Sequence, residues 1–459
     1  MSDHVLRPPV PPPPPRPLAL RAFLRAVRTN ALTIWPQSAY RDLVTSARLF
    51  GRQNILMNDP DGIHHILVAN APNYRRSRAS VRILRPITGS GLLLSEGESW
   101  KVQRRTVAPA LAPRVMPILV RHVRQALDQF SSGLEARTGD TVDLLAEMQR
   151  LALDIAARAM FSLDVTQYGD AIRDLLTAFA VRHSRPTFMD MVLPHTIPTW
   201  ADIKRAGFRR RWMGLIETIL ASRLQTPADP PRDLLDLLRG ARDPETGEAF
   251  GPERLRDQVA TLLLAGHETT AVTLFWALFL LAQSPDDMDK IVQEAEAIPP
   301  DAEPDVVLQG LVHTRAVINE TLRLYPPAFT MVREAIAADR IGSLEVRPRS
   351  IVMIAPWVLH RDEAFWQEPD RFLPSRFLPG APPVGKFSFL PFGVGPRVCV
   401  GAHFAITEAT LVLATLLRRF TFELQSPVHP RPVGIVTTQP DRPLPVRVSV
   451  RKRALADAI

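Results

Sequence analysis

Apolar residues return every three or four positions along six long stretches of this chain: Val115–Phe130, Thr141–Phe161, Arg209–Gln225, Pro252–Ser284, Met288–Glu296 and Val306–Tyr325. That spacing keeps one helix face apolar, and several stretches carry proline, Ser, Thr or Asp near their ends, so each is predicted to be a helix. Short β-prone runs at Asn54–Met57, Ile341–Val346, Ile351–Ala355, Phe420–Leu424 and Leu444–Val450 predict a few strands. The expected fold class is therefore mainly α with a minor β-sheet (α+β). The 44 prolines fall largely between these segments, which predicts many ordered connections.

No Gly/Ser linker, compositional break or internal repeat divides the chain beyond Tyr40, so residues 40–459 are expected to form a single domain. Residues 1–39 read as a lead-in. Pro8, Pro9, Pro11 to Pro15 and Pro17 should hold it extended, either disordered or strapped to the domain, with recognition by a proline-binding partner as the sharper alternative. Leu20, Phe23, Leu24 and Val27 recur at helical spacing among arginines, which predicts a helix within Leu18–Trp35. It is expected to lie against the domain rather than on a membrane surface.

The run Leu262–Ala282 is apolar enough to raise a membrane span, although Glu268 sits in its centre. A charge at mid-bilayer costs roughly 3 kcal/mol, which several leucines at about −0.5 kcal/mol each could offset. Soluble helices on both sides make a solitary mid-chain span the poorer account, and a helix buried through the core is expected instead. Met1–Arg7 lacks the apolar core of a signal peptide, and no N-terminal run approaches the ~20 apolar residues of an anchor. A single cysteine gives no disulfide framework. A cytoplasmic monomer without a transmembrane anchor is expected.

Composition adds a little. Hydrophobic residues at 46% and charged residues at 22% fit a globular core, and only 7% aromatics argues against a base-stacking nucleic-acid binder. The net charge of +9, mostly arginine, leaves room for a basic face that docks an acidic protein.

The chemistry concentrates at Cys399, in Phe392-Gly393-Val394-Gly395-Pro396-Arg397-Val398-Cys399-Val400-Gly401. Most isolated free cysteines are small buried hydrophobes. Here the glycines suggest backbone held against something flat, and Arg397 puts a fixed charge near the sulfur, which together fit a thiolate ligand to heme iron. On the long apolar segment, Ala265 and Gly266 would let a planar group approach the backbone. Glu268 and Thr269 place a carboxylate and a hydroxyl side by side, either as a proton relay or as a helix back-bond beside a solvated acid. Glu320 and Arg323 share a helix face, and Pro374-Ser375-Arg376-Phe377 offers a second arginine in a proline-framed turn. Trp100 and Arg104, four residues apart, are donors suited to a carboxylate, or simply a basic helix face.

This ordered set resembles the cytochrome P-450 superfamily of heme-thiolate monooxygenases, and its motifs span almost the whole chain. His360-Arg361-Asp362 leading to Trp366 also resembles the family's stretch before the Arg376 turn. Ser375 stands where the family often has Glu. The resemblance implies a triangular helical prism with heme b between a long distal helix and the Cys399 loop. It implies Cys399 as axial ligand, with Ala265, Phe392 and Gly401 beside the cofactor. Trp100, Arg104, Arg397 and, in preference to His360, Arg333 would bind propionates. Glu268 and Thr269 would serve oxygen activation, and Glu320, Arg323 and Arg376 a structural triad. The implied reaction inserts one oxygen atom of O2 into a hydrophobic small molecule such as a fatty acid, terpenoid or polyketide-like compound. Too little chain follows Gly401 for a reductase module, so electrons would come from an external ferredoxin or flavodoxin with its reductase.

Distal-pocket candidates are Ile87–Leu94, Phe179–Ile203 with the adaptable Met189 and Met191, Leu263, Leu264, and Ala328–Val332 with Phe329 and Met331. The alternatives are a peroxygenase, isomerase or dehydratase on the same fold, or a non-enzymatic heme sensor or electron carrier.

Overall fold

One helix, Pro252–Leu281, runs through the middle of the molecule and belongs to both of its large apolar cores. The computed structural model describes residues 6–162, 165–194, 196–225, 230–299 and 304–451. The helix starts on Pro252 after Gly251, with Glu253 in its first turn, where a missing N–H and a negative charge are both favourable. Its first half, through Leu264, packs with Trp212, Phe208, Val107 and Ile219. Its second half, from Val272, packs with Trp357, Tyr325, Phe130 and Leu413. Trp212, Trp276 and Trp357 are fully buried, and burial of a large apolar side chain stabilises by roughly 1.5–3 kcal/mol. The stretch between the halves, Ala265–Thr270, lies where the two cores meet.

The helices Met116–Glu135, Leu144–Phe161, Val312–Leu324 and Ala402–Arg419 surround this axis. Phe404, on the helix that follows Cys399, packs against both cores. A five-stranded sheet lies to one side in the order Val44–Leu49, Arg52–Met57, Ile351–Ile354, Met331–Ala335, Tyr74–Arg76. Only the second and third of these strands pair in parallel. Thr141–Asp143, Pro445–Val450 and Phe420–Leu424 form a second sheet, and two small hairpins complete the β structure. The predicted class is the one observed.

Several boundaries differ from the expectations. Thr141–Asp143 pairs as a strand before the helix begins at Leu144, because Val142 is opposite Val446 and Asp143 then caps the helix through Leu145 N–H. Val306–Tyr325 breaks after Gly310, and Leu311 leaves the helical region. Ile341–Val346 is the hairpin Asp339–Ile341 and Leu344–Val346, which turns at Gly342 with φ +56°. The expected helix at Arg209 begins nine residues earlier, at Trp200. Helices at Arg78–Thr88, Val165–Ala178 and Ala402–Arg419 were not expected, whereas Gly97–Val107 matches the helical spacing of Trp100 and Arg104.

The proline tract is strapped down. Pro8 and Pro11 are buried at the three-residue repeat of a polyproline helix. The carbonyls of Leu6, Pro9 and Pro14 accept hydrogen bonds from Phe372 N–H, Tyr325 hydroxyl and Gln37 N–H at 3.0, 3.0 and 2.9 Å. The helix within Leu18–Trp35 is Leu20–Thr29.

Candidate heme-thiolate site

The Cys399 loop closes on itself, with Cys399 N–H donating to the Phe392 carbonyl at 2.9 Å. Gly393 and Gly395 take φ of +70° and +76°, conformations that suit glycine. A Cβ on Gly395 would lie 2.2 Å from the Leu67 carbonyl oxygen, so the loop seats directly on the turn His65–Ala69. Cys399 is accessible, yet burial raises its thiol pKa. The two facts agree if Sγ opens onto a recess rather than the outer surface. The Gly401 N–H and the charge of Arg104 act in the opposite direction on that thiol. Arg104 also donates Nη1 to the Val398 carbonyl at 2.7 Å.

Beside the loop lies a cluster of guanidiniums. Arg397 stacks on Trp100, 4.5 Å from the ring centroid, donates to the Ser95 carbonyl at 3.0 Å and pairs with Glu96. Arg76 and Arg333 face each other across neighbouring antiparallel strands, both buried in their charged parts. Burial and then the neighbouring charges pull Arg76 down to about 9 and Arg333 to about 10. Glu96 acts against this, and it also accepts the Arg76 backbone N–H at 2.9 Å. Arg76 Nε and Arg397 Nη1 are buried without a hydrogen-bond partner. Like charges opposite each other destabilise a sheet, and a buried unpaired donor costs about 1–3 kcal/mol. The arrangement therefore calls for an anionic group with more than one acceptor oxygen. Two propionates would fit that requirement, and the accessible Cys399 thiol is of the kind that would ligate a heme iron.

The central helix is tied to the helix that follows Cys399 by a hydrogen bond between Thr270 and Glu408. Leu262, Ala265, Gly266 and Thr269 are accessible on a helix otherwise mostly buried, at i, i+3, i+4 and i+7. A Cβ on Gly266 would meet nothing within 4 Å. Thr269 Oγ1 donates to its own helix at the Ala265 carbonyl, 2.6 Å away. Glu268 turns away from the stripe, since a helix rotates about 100° per residue. Its Oε1 accepts from Thr437 Oγ1 at 3.0 Å and Gln439 Nε2 at 2.5 Å, on the C-terminal hairpin. Burial raises its pKa, and those two bonds lower it. Thus Glu268 and Thr269 are neighbours in sequence that engage different surroundings.

Farther from the recess, Glu320 and Arg323 are fully buried and joined by two bonds of 2.7 Å. Arg323 also donates to the carbonyls of His360, Pro369 and Arg371, and Arg376 Nε approaches Glu320 at 3.4 Å. His360 accepts Leu390 N–H on Nε2 at 2.9 Å and its Nδ1 lies 3.2 Å from the Arg323 carbonyl, which assigns the neutral Nδ1–H tautomer. Burial holds its pKa down to about 3. His360 is thereby committed to this scaffold.

Among the pocket candidates, Leu263 and Leu264 are buried in the second core, and Leu262 takes the open stripe instead. Met189 and Ile203 are exposed, as is Trp200 between them in the chain. Phe329 is buried against Trp35, whereas Ala328, Met331 and Val332 remain partly or wholly accessible. Sequence reasoning missed Arg76, which strand pairing brings to Arg333, and Glu96, which precedes the helix Gly97–Val107 and reaches Arg76 N–H and Arg397; no local motif marks either. It also missed Glu408, on the helix after Cys399. That carboxyl is hydrogen-bonded to Thr270, and burial pushes it up to about 8.

The family model for cytochrome P-450 matches residues 10–444. The chain is 33% identical over 442 residues to cyclooctatin synthase of Streptomyces melanosporofaciens, covering 94% of each protein. It is 30% identical to cyclooctat-9-en-7-ol 5-monooxygenase of the same organism, over 73% of each. The solved heme domain of cytochrome P-450DA superposes with a TM-score of 0.81 at 25% identity, covering 97% of this chain and 98% of that one. With a thiol recess, a guanidinium cluster and an open helix stripe at the junction of two cores, this chain belongs to the cytochrome P-450 family and is a heme-dependent monooxygenase.

Proposed function

We propose that the enzyme hydroxylates an apolar, mainly hydrocarbon small molecule, with heme b as cofactor and electrons from a separate ferredoxin or flavodoxin and its reductase. The observations that carry this reading are the accessible Cys399 thiol and the open stripe Leu262, Ala265, Gly266 and Thr269, on helices joined by the Thr270–Glu408 hydrogen bond. Two relatives named for cyclooctatin and cyclooctat-9-en-7-ol support a cyclic substrate with few polar groups. The apolar central helix is largely buried, which supports a cytoplasmic enzyme without a transmembrane anchor; a monomer is the simplest assembly.

In this reading Cys399 Sγ would ligate the iron, with Phe392 and Gly401 closing its loop, and Trp100, through Arg397, would join Arg104, Arg76 and Arg333 in orienting the cofactor. Bound heme supplies O2 binding and oxidising power. Ala265 and Gly266 keep the helix flat enough for close approach. Thr269, by donating its proton to Ala265, keeps its oxygen lone pairs free to accept a hydrogen bond on the stripe. Glu268, whose proton affinity burial raises, is suited to carry a proton from the hairpin side. Glu320, Arg323 and Arg376 hold the chain around the Cys399 loop without touching the reaction.

The test is turnover of cyclooctat-9-en-7-ol and related apolar alcohols under labelled O2 with reduced ferredoxin. The expected product carries one labelled oxygen, and Thr269→Ala lowers product per electron consumed by roughly 10-fold or more, in the range of a lost proton-transfer group. Turnover with hydrogen peroxide but none with the reductase system would overturn the proposal.

A further inference from the structure

Residues 89–95 join the helices Arg78–Thr88 and Gly97–Val107 without regular structure of their own. Side chains from elsewhere in the fold take up the main-chain groups in and just before this turn. On the central helix, Asp257 accepts Ser90 N–H at 2.7 Å and Gln258 accepts Leu92 N–H at 3.1 Å. Thr261 donates to the Thr88 carbonyl at 3.1 Å. Gln258 also donates to Gln103 at 2.5 Å, and Gln103 donates to the Ser90 carbonyl at 3.2 Å, so two buried amides close a ring with the turn. From the helix Trp200–Leu224, Trp212 donates to the Ile87 carbonyl at 2.7 Å and Arg209 to that of Arg85 at 2.9 Å. Arg397, in the Cys399 loop, holds the far end through the Ser95 carbonyl at 3.0 Å.

The sequence makes room for this. A Cβ on Gly89 would fall on the Asp257 carboxyl group, and one on Gly91 would fall on Thr261 Oγ1. Asp257 is itself held, since its other oxygen accepts two bonds from Arg256 at 3.1 and 3.0 Å, and Arg256 reaches Glu217 at 2.7 Å. Stranding one buried N–H is unfavourable, and opening this turn would break several such bonds at once. Leu92 and Leu94 are buried, and Leu93 between them stays partly accessible. Leu93 lies two residues beyond Gly91, which touches Thr261, and Leu262 begins the open stripe one residue beyond Thr261. The turn thus spans from the start of that stripe to the Cys399 loop.

We propose that Asp257 is a positioning residue that fixes residues 89–95 as a preformed wall of the heme recess, with Leu93 as its apolar contact to a bound ligand. Asp257 does not touch the ligand and acts through Ser90. An apolar substrate then meets Leu93 in one place, and this wall orients it without closing after binding. The proposal rests on the reading of Cys399 and the stripe as the heme recess, and it adds which part of the wall is rigid and what keeps it so.

Hydrogen exchange of the heme-loaded full chain tests it, with 4-phenylimidazole as an apolar ligand of heme iron. That ligand is independent of the proposed substrate, and a normal heme spectrum separates failure here from failure of the heme reading. Amides of residues 89–95 are expected to exchange slowly without ligand, and saturating 4-phenylimidazole changes their rates by less than about twofold. Asp257→Ala should speed them by roughly tenfold or more with the heme spectrum unchanged, and the ligand should then slow them again. Gln258→Leu, which strands Leu92 N–H, should do the same by a second route. Asp257→Asn keeps an oxygen for Ser90 N–H and should retain most of the protection, a rescue that general loss of packing would not show. Affinity for 4-phenylimidazole, read from the Soret shift, should fall several-fold in Asp257→Ala, because only part of the population then holds the wall in place. Leu93→Trp should weaken it by roughly tenfold or more with exchange unchanged. Fast wild-type exchange that the ligand slows tenfold would make the segment a closing lid and overturn the proposal. So would unchanged exchange in Asp257→Ala and Gln258→Leu, or wild-type affinity in Leu93→Trp.

Discussion

Arg104 Nη1 lies 2.7 Å from the carbonyl oxygen of Val398, so the helix Gly97–Val107 grips the residue that precedes Cys399. Hydrogen bonds to charged groups contribute about 1.5–3 kcal/mol, equivalent to roughly 10–100-fold in an equilibrium. Arg104→Gln should therefore release heme faster by roughly tenfold or more, measured as transfer to excess apomyoglobin. Arg104→Lys keeps the charge without the planar fork and should fall between. Heme retention in Arg104→Gln equal to wild type would show the contact to be idle.

The Glu320–Arg323 pair predicts a larger effect on folding. Both side chains are fully buried, so Glu320→Ala leaves a guanidinium without its carboxylate. Removing one member of such a pair costs about 3–5 kcal/mol. The expected outcome is loss of soluble, heme-binding protein, read by thermal melting and heme content. Arg323→Lys should fare little better, because one ammonium cannot reach Glu320 and three carbonyls together.

Glu408 predicts a pH dependence of stability. Burial raises its pKa from the ordinary 4.5 to about 8, so the folded state binds that proton more tightly than the unfolded chain. The stabilisation is complete below pH 4.5 and is lost as pH rises toward 8. Across that window wild type should lose up to roughly 4 kcal/mol more than Glu408→Gln, which keeps the shape but cannot ionise. Urea midpoints of both proteins at several pH values check this. Parallel pH profiles would remove Glu408 as the cause.

Deleting residues 1–16 should lower the melting temperature by several degrees, since it removes the partners of Phe372 N–H, Tyr325 hydroxyl and Gln37 N–H. Losses of roughly 1–3 kcal/mol per stranded buried group set that scale, with Tyr325 the most buried of the three. An unchanged melt would mean water replaces the strap at no cost.

The site was legible where chemistry demands fixed residue types at fixed spacing. The tight Cys399 loop needs Gly393 and Gly395 at positive φ, and a buried bidentate pair needs Glu320 and Arg323 one helical turn apart. Arg76 was not legible because its proximity to Arg333 depends on the pairing register of short strands distant in sequence, nor was Glu96, whose partner Arg397 lies 301 residues away. The orientation of Glu268 was hidden for a similar reason, since Thr437 and Gln439 come from a hairpin 169 and 171 residues away. Apolar periodicity also misplaced the start of the helix Trp200–Leu224. Its first turn shows Trp200 and Ile203 to the outside, and only the Thr199–Asp202 capping box marks the true beginning. The helix Ala402–Arg419 begins directly after the ligand loop on Gly401, without a polar cap to announce it.

The central claim is that Cys399 is the thiolate ligand of a bound heme, and the reduced carbon-monoxide difference spectrum tests it most directly. The wild-type protein should show the red-shifted Soret band of a thiolate-ligated heme, and Cys399→Ala should lack that band. Absence of the band in heme-loaded wild type, or its persistence in Cys399→Ala, would contradict the account.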